Sequence, residues 1–548
     1  MEFIMASSVM HDDTRAAWKL NLGIIMKYTA ALIVCATVVD AGNFLIVLGP
    51  DKGSMMFTTI AIGDALVERG QNVTVLVNEG NANRIRNHNS KFRVEMHTSS
   101  VTEAEVNNVE QQTTARALAG DGFWTGWYWS VEMMDGLFYR QCRDLLEQDD
   151  VIKRIRDSEF DLVLASLGHV CPVLIAKHID VPFVGLMQSF LPVAFAHVYH
   201  QPVDSAYMPP AFTGWTDRMS FHQRLMSSLI SILNWPSFWN EPLTFPNFSQ
   251  LKDQFNISRD KSLMRTMGDA ELWFVMSHPA LDYPRPVMPD TISIGGLTTK
   301  PSNPLEKKFE DFMQSSGDDG VLLFTMGTTT QGANKEFANI FAKAFAQVPH
   351  KVIWKLSGDP PEDTPSNVMV TKWLPQNDLL GHPKTKIHVS HCGLNGVYEA
   401  LYHAVPIVCI PMFGDHHDAA ARVKSKGIGV EVALEGLTSA AVVDAVKTVM
   451  EDNRYRDNIQ RLSAIYRDET LSPAHRCAYW MEYVVRHGSV KHLRSAAHHL
   501  NFAQYHLLDV LAVLLTLFAV LLGLIFCIFK TLCRCCCRIF CGQKVKND

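Results

Sequence analysis

At 548 residues the chain exceeds what one ordinary hydrophobic core fills, which points to two domains plus appendages. Its formal net charge of −6 is mild for that length and offers no basic face of the kind a nucleic-acid partner requires. Of the 12 cysteines, six lie from Cys527 onward, and the spacing of the rest matches neither a zinc site nor a dense disulfide framework.

In chain order, Lys27 precedes an apolar run from Tyr28 to Val39 and a small-residue exit at Ala41 and Gly42, the pattern of a secretory signal peptide ending at residue 42. Met26 is an alternative start, which would make residues 1–25 an extension absent from the mature chain. N-x-S/T tripeptides at Asn72, Asn247 and Asn256 are compatible with lumenal exposure. With Cys35 in the leader, Cys142, Cys171, Cys392, Cys409 and Cys477 remain, an odd set with room for one disulfide that the spacing does not assign.

Phe44 to Gly49 has the apolar run of a buried strand, Met56 to Arg69 the pattern of a helix, and Asn72 to Val77 that of a second strand, giving a β-α-β opening. Phe123 to Trp129 concentrates aromatic residues, which fits either the wall of a hydrophobic cavity or a core or membrane-facing helix. Phe160 to Ala165 and Val181 to Leu186 are further strands. Residues 200–260 are rich in proline and aromatics, with one amphipathic helix around His222 to Leu233. Glu271 to Ser277 and Ile292 to Leu297 are apolar again, and Thr298 to Leu305 has the composition of a linker.

Val321 to Met326 is a strand that ends at Gly327-Thr328-Thr329, where a glycine lets backbone approach a diphosphate and hydroxyls follow. Lys351 to Lys355 and Asn367 to Thr371 continue the strand alternation, and a helical tail runs through Arg494. Val510 to Phe529 holds about 20 uncharged residues, enough to span a bilayer. Lys530, Arg534, Arg538, Lys544 and Lys546 follow it, so the tail is expected in the cytosol and everything before it in the lumen. Cys533, Cys535, Cys536, Cys537 and Cys541 are then S-palmitoylation candidates or free thiols.

The chain is organised around Trp373 to Asp418. Lys386 to Ser390 is β-rich, Gly393 breaks it, Asn395 to His403 is helical in character, and Pro406 to Ile410 is apolar: strand, helix, strand. His391, Asn395 and Glu399 recur at steps of four and would form one polar line down that helix. Its upper end suits phosphate, because free backbone N–H groups and the helix dipole favour an anion. One turn lower, Glu399 can accept from two neighbouring hydroxyls, as on a ribose. Trp373 and Gln376 before the strand, and Asp415 and His416 after the next, fall in loops at strand carboxyl ends, where ligands bind in doubly wound sheets.

This stretch resembles the donor-binding signature of the UDP-glycosyltransferases. The resemblance implies an α/β GT-B fold: two Rossmann-like doubly wound domains facing a cleft, with residues 43–297 binding the acceptor and 298–495 the UDP-sugar. A transmembrane helix over 507–529 and a cytosolic tail over 530–548 complete the expected organisation. It further implies that Trp373 stacks on uracil beside Gln376, that Gly327, Thr328, Ser390, His391, Gly393 and Asn395 surround the diphosphate, that Glu399 binds the ribose, and that Asp415 and His416 face the sugar. The family usually has Gln where His416 stands, and the Asp-His pair resembles the ceramide galactosyltransferase branch, whose donor is UDP-galactose. Neither a metal nor a resident cofactor is expected; the partners are a UDP-sugar, a lipophilic acceptor, the endoplasmic reticulum membrane and related transferases in homo- or hetero-oligomers. Lys544 to Asp548 resembles a dilysine retrieval signal.

Two positions depart from that pattern. Counting back from Arg69-Gly70, the family's general-base histidine falls at Met55, and its supporting aspartate at Ser166. A thioether takes no proton at neutral pH and a serine cannot hold an imidazolium in place. His169 is the nearest imidazole, leaving three accounts: His169 substitutes, transfer proceeds by positioning alone, or the chain binds UDP-sugar without turnover.

Overall fold

The computed structural model describes residues 41–50, 53–86, 91–121, 125–126, 128, 130–166, 169–187, 201–239, 245–327 and 335–541. The leader, Thr328 and Thr329, Phe123, Trp124, Trp127 and Trp129 of the aromatic span, and the Lys544 to Asp548 signal lie outside the described residues.

Short apolar runs become strands that are covered on both faces, as parallel sheets require. β1 (Asn43–Val47), β2 (Asn72–Asn78), β3 (Arg93–His97), β4 (Leu162–Ser166), β5 (Phe183–Met187), β6 (Trp273–Val275) and β7 (Thr291–Ser293) form one sheet in the order β3-β2-β1-β4-β5-β6-β7. β8 (Val321–Thr325), β9 (Lys351–Lys355), β10 (Val368–Thr371), β11 (Thr385–Ser390), β12 (Ile407–Cys409) and β13 (Gly429–Glu431) form a second, ordered β10-β9-β8-β11-β12-β13. Every described pairing is parallel. Strand order reverses between β1 and β4 in one sheet and between β8 and β11 in the other, and such switch points open a crevice at the strand carboxyl ends.

Two strands were not foreseen. β3 carries Arg93 and Glu95 at a sheet edge, and β13 is three residues long, so neither presents the apolar run by which the inner strands announce themselves. Elsewhere the expected and observed elements overlap. The helix α1 (Ser54–Glu68) follows β1, and α2 (Phe221–Trp239) covers and extends the expected amphipathic segment. Within the second sheet, α3 (Leu394–Tyr402) joins β11 to β12 and α4 (Asp415–Ser425) follows β12.

The last helix of the globular part, α5 (Pro473–His487), has Ser472 accepting from the His475 N–H at its start, Pro473 in its first turn, and Gly488 at φ +70° just past its end. It returns to the first sheet and packs on α1. One buried cluster runs from Phe44 and Ile46 of β1, through Cys477 and Met481 of α5, to Val397 and Tyr398 of α3. Closer to the cleft, Asp418 of α4 accepts from the Phe212 and Gly214 N–H groups at 2.7 and 2.9 Å, and Arg422 pairs with Asp282 at 2.8 Å. The two Asp418 bonds tie the proline-rich 201–220 segment to α4 of the second sheet, and the Arg422 pair ties Asp282 to the same helix.

Sequence spacing left room for one disulfide; the structure has two. Cys142–Cys171 bridges Cα atoms 5.4 Å apart and Cys392–Cys409 bridges 5.2 Å, leaving Cys477 as a buried thiol. α6 (Leu508–Cys541) is the one helix among the described residues long and apolar enough to cross a membrane, and its described side chains are exposed.

α5 is fastened to α1 by Arg69, whose Nε and Nη2 donate to Glu482 at 2.8 and 2.7 Å, with Gln71 adding a third bond. Burial pushes the Glu482 carboxyl up, but the Arg69 bonds and charge outweigh it and leave the group below its usual range. That stability is present above the unfolded carboxyl value and lost as pH falls through the folded one. Arg69→Ala is expected to cost about 1–2 kcal/mol, allowing for the partial exposure of Arg69, and to lower the thermal midpoint at neutral pH. An unchanged midpoint would show that the apolar packing of α5 suffices alone.

Candidate functional site

β8 and β11 are adjacent and in register, with Ser390 opposite Thr325, so the turns that leave them open side by side. Gly327 follows β8 at φ +84°, and its N–H donates to Thr325 Oγ1 at 3.1 Å. A Cβ there would lie 2.6 Å from Cε1 of His391, and one at Gly393 would lie 2.5 Å from its Nε2. The imidazole therefore fills a slot that only two glycines leave open. Gly393 caps α3, whose first intrahelical bond runs from the Val397 N–H to the Gly393 carbonyl, so the N–H groups of the preceding first turn have no carbonyl to meet inside the helix.

His391 is not on α3 as the four-residue spacing suggested. Cys392 turns the chain with φ +61°, and the helix begins only at Leu394. The ring returns to the helix mouth because that left-handed turn folds it back under Gly327. Burial above all, then the neighbouring His388 and Lys355, pushes its pKa down to about 3. The imidazole is neutral and acts as a hydrogen-bonding group.

The cation at this mouth is one the sequence reading passed over. Lys355 ends β9 and donates from Nζ to the Gly327 carbonyl at 3.1 Å, its own pKa lowered by burial. A charged residue at the carboxyl end of an otherwise buried strand was the available signal.

Glu399 lies buried farther down α3. It accepts from Thr298 Oγ1 and from Gln376 Nε2, each at 2.7 Å. Burial raises its pKa to about 7, against the pull of those two bonds. Gln376 is thus held on the ribose-binding candidate. Trp373, three residues earlier, is 61% exposed and 6.4 Å from the Phe57 ring of α1, so a broad indole face meets solvent between the two halves. Ser390 is buried and accepts from the Cys392 N–H at 3.1 Å, a bond that helps build the turn.

Asp415 opens α4 beside Gly414, and burial followed by the Asp418 charge raises its pKa to about 6. His416 is buried with its ring 4.6 Å from that of His391 and 4.9 Å from Phe413, and its pKa falls well below the usual histidine value. A Cβ on Gly126 would lie 4.0 Å from the Gly414 nitrogen, so Gly126 borders this loop across the cleft.

His169 belongs to the other sheet, just past β4. It is buried, its ring against Gly49 after β1 and 4.0 Å from Phe138. Met55 is partly buried at the start of α1 and Ser166 ends β4, so all three gather at the first sheet's switch point. Among the described residues no group of His, Cys, Asp or Glu could hold a metal ion.

The family model for UDP-glucoronosyl and UDP-glucosyl transferases matches residues 44–547. UDP-glucuronosyltransferase 2B7 of Homo sapiens is 34% identical over 486 residues, 86% of this chain and 90% of that protein. UDP-glucuronosyltransferase 2B19 of Macaca fascicularis is 34% identical over 484 residues, 86% of this chain and 91% of its own length. Among solved structures, the calicheamicin glycosyltransferase CalG4 superposes with a TM-score of 0.53 at 18% identity, covering 82% of this chain and 99% of that one. Os79 from O. sativa, solved with U2F and a trichothecene, gives 0.55 at 15% identity over 80% and 99%. Both likenesses are to the fold, the GT-B arrangement of two doubly wound sheets.

The raised pKa of Glu399 has a consequence for the unliganded protein. A carboxyl whose folded value lies above its unfolded one contributes stability at low pH that is lost as pH rises to the folded value, here from 4.5 to about 7. Asp415 acts with the same sign from 3.8 to about 6. Glu399→Gln is expected to end the decline of unfolding free energy near pH 6 instead of 7, measured by denaturant titration. Superimposable profiles would mean that Glu399 is ionised throughout.

Proposed function

The chain belongs to the UDP-glucoronosyl and UDP-glucosyl transferase family and is a UDP-sugar-dependent glycosyltransferase, and from that premise we propose that it transfers a neutral hexose, galactose foremost, to a hydroxyl of a lipophilic acceptor with inversion. The observation that carries the donor assignment is the helix mouth at which His391, wedged between Gly327 and Gly393, sits above Glu399, with Lys355 beside it and the exposed Trp373 nearby. Uracil stacks on Trp373, the ribose hydroxyls donate to Glu399, and the diphosphate lies on the first-turn N–H groups of α3. Residues 43–297 form the acceptor half and 298–495 the donor half.

In the reaction the acceptor oxygen attacks C1 of the sugar, the bond from C1 to the β-phosphate oxygen breaks, UDP departs, and the acceptor proton passes to a base. Charge growing on the diphosphate is met by the α3 N-terminus, the neutral His391 imidazole and Lys355, all in place beforehand. Preference for a neutral sugar follows from the sugar-facing end. Asp415 and Asp418 are acids there, and His416 and His417 are both kept less basic, first by burial. A donor carboxylate finds no cation among them, which supports galactose or glucose over glucuronate. The Asp415-His416 pair and its likeness to the ceramide galactosyltransferase branch favour galactose.

α6 anchors the enzyme once in the endoplasmic reticulum membrane, catalytic halves in the lumen and tail in the cytosol. The relatives named above carry glucuronosyltransferase in their names, and that activity stays with them. A second reading is favoured by Met55 and Ser166: a UDP-sugar-binding partner that modifies an active relative without turnover.

Purified protein incubated with UDP-galactose and ceramide-like or phenolic acceptors is expected to yield the galactoside, read by mass. UDP-galactose binding without product over long incubation would select the second reading. If transfer occurs, His169→Ala is expected to lower kcat by about 10²- to 10⁴-fold, the usual contribution of a base; an unchanged kcat removes His169 from the mechanism. His416→Gln is expected to shift kcat/KM from UDP-galactose toward UDP-glucose or UDP-glucuronate, and an unshifted ratio contradicts the galactose assignment.

A further inference from the structure

The Cys392–Cys409 bridge lies inside the proposed donor site, and no step of the chemistry above uses it. Cys392 is the one residue between His391, which fills the slot under Gly327, and Gly393, which caps α3. It is also a side-chain-bearing residue at φ +61°, a conformation in which Cβ crowds the backbone. Its partner, Cys409, ends a strand fixed on both sides: β12 is paired with β11 and β13, the Ile410 N–H donates to the Ser390 carbonyl at 2.7 Å, and the Val432 N–H donates to the Cys409 carbonyl at 2.8 Å. Both sulfurs are buried.

We propose that Cys392 and Cys409 are positioning residues for the donor, their disulfide holding the left-handed turn that aligns the His391 imidazole with the first-turn N–H groups of α3. Rotation of Cys392 toward negative φ swings the cap of α3 away from the end of β11, separating the two sets of groups that converge on one diphosphate. The bond opposes that rotation by tying the turn to the sheet interior. Ser390 Oγ, accepting from the Cys392 N–H at 3.1 Å, holds the same residue from the other side. The bridge touches neither the acceptor half nor the group that takes the proton.

This inference rests on the proposed donor site, and the test separates the two. UDP binding is measured by calorimetry on the full-length protein in detergent, after peptide mapping under non-reducing conditions. Mapping is expected to recover the 392–409 cross-link, and free thiols at both positions would overturn the proposal. Cys392→Ser with Cys409→Ser is expected to raise the UDP dissociation constant about tenfold, the scale of a sub-ångström misplacement, and to raise KM for the UDP-sugar with KM for the acceptor unchanged. Cys142→Ser with Cys171→Ser, which removes the other bridge, is expected to leave UDP binding as it was.

Cys392→Gly with Cys409→Ala removes the bridge and the crowding together, and is expected to recover affinity to within about threefold of the parent, because glycine adopts this φ freely. UDP affinity unchanged in the serine pair, or equally weak in the glycine variant, overturns the proposal. If the serine pair does not fold, the parent protein reduced by a phosphine, with opening of the 392–409 bridge verified by alkylation, gives the same comparison. Parent protein that binds no UDP at all sinks the donor assignment instead.

Discussion

An imidazole lodged between two glycines sets the geometry of the second sheet's ligand edge. Gly327 and Gly393 come from separate turns, after β8 and before α3, and each would collide with His391 if it carried a side chain. Those turns adjoin because β8 and β11 are neighbours at the point where the strand order reverses. The crevice, the helix mouth and the imidazole are thus consequences of one topological fact.

Below that mouth the second sheet's side chains are already connected. Thr298, at the passage between the two halves, and Gln376, at the start of its own short helix, both bond to Glu399, so the acid that would meet a ribose also links the linker to the sheet. Such a buried network holds its members in one arrangement before any ligand arrives, which is what electrostatic stabilisation of a departing diphosphate requires. The first sheet differs. At its switch point stand a thioether, a hydroxyl and one histidine packed against Gly49 and Phe138. In the proposed assignment the second sheet carries the groups for the donor and the first keeps its chemistry in a single imidazole, and that asymmetry underlies the choice between transfer and binding.

Much of this was legible in the residues. Inner strands such as Val321–Thr325 and Lys351–Lys355 advertise themselves through apolar runs, because both faces are covered. Edge strands such as Arg93–His97 do not, since half their surface is free of that demand. His391, Asn395 and Glu399 were singled out by a helical period that His391 does not obey, because the left-handed turn at Cys392 places it before the helix. Lys355 was passed over, and the partners of Gln376 and Ser390 were not foreseen, for a common reason. Whether a polar side chain faces a ligand or a neighbour depends on partners 2 to 28 residues away in the chain, and no local pattern encodes that. The pairing of Cys392 with Cys409 was hidden likewise, since it follows from β11 and β12 being adjacent.

The central claim is that Trp373, the His391 turn and Glu399 serve one nucleotide. A structure determined with UDP bound tests it most directly. The account predicts uracil against the Trp373 indole, both ribose hydroxyls on Glu399, and the diphosphate at the α3 N-terminus beside His391 and Lys355. UDP seated elsewhere, or Glu399 still bonded only to Thr298 and Gln376 with the nucleotide present, would contradict it.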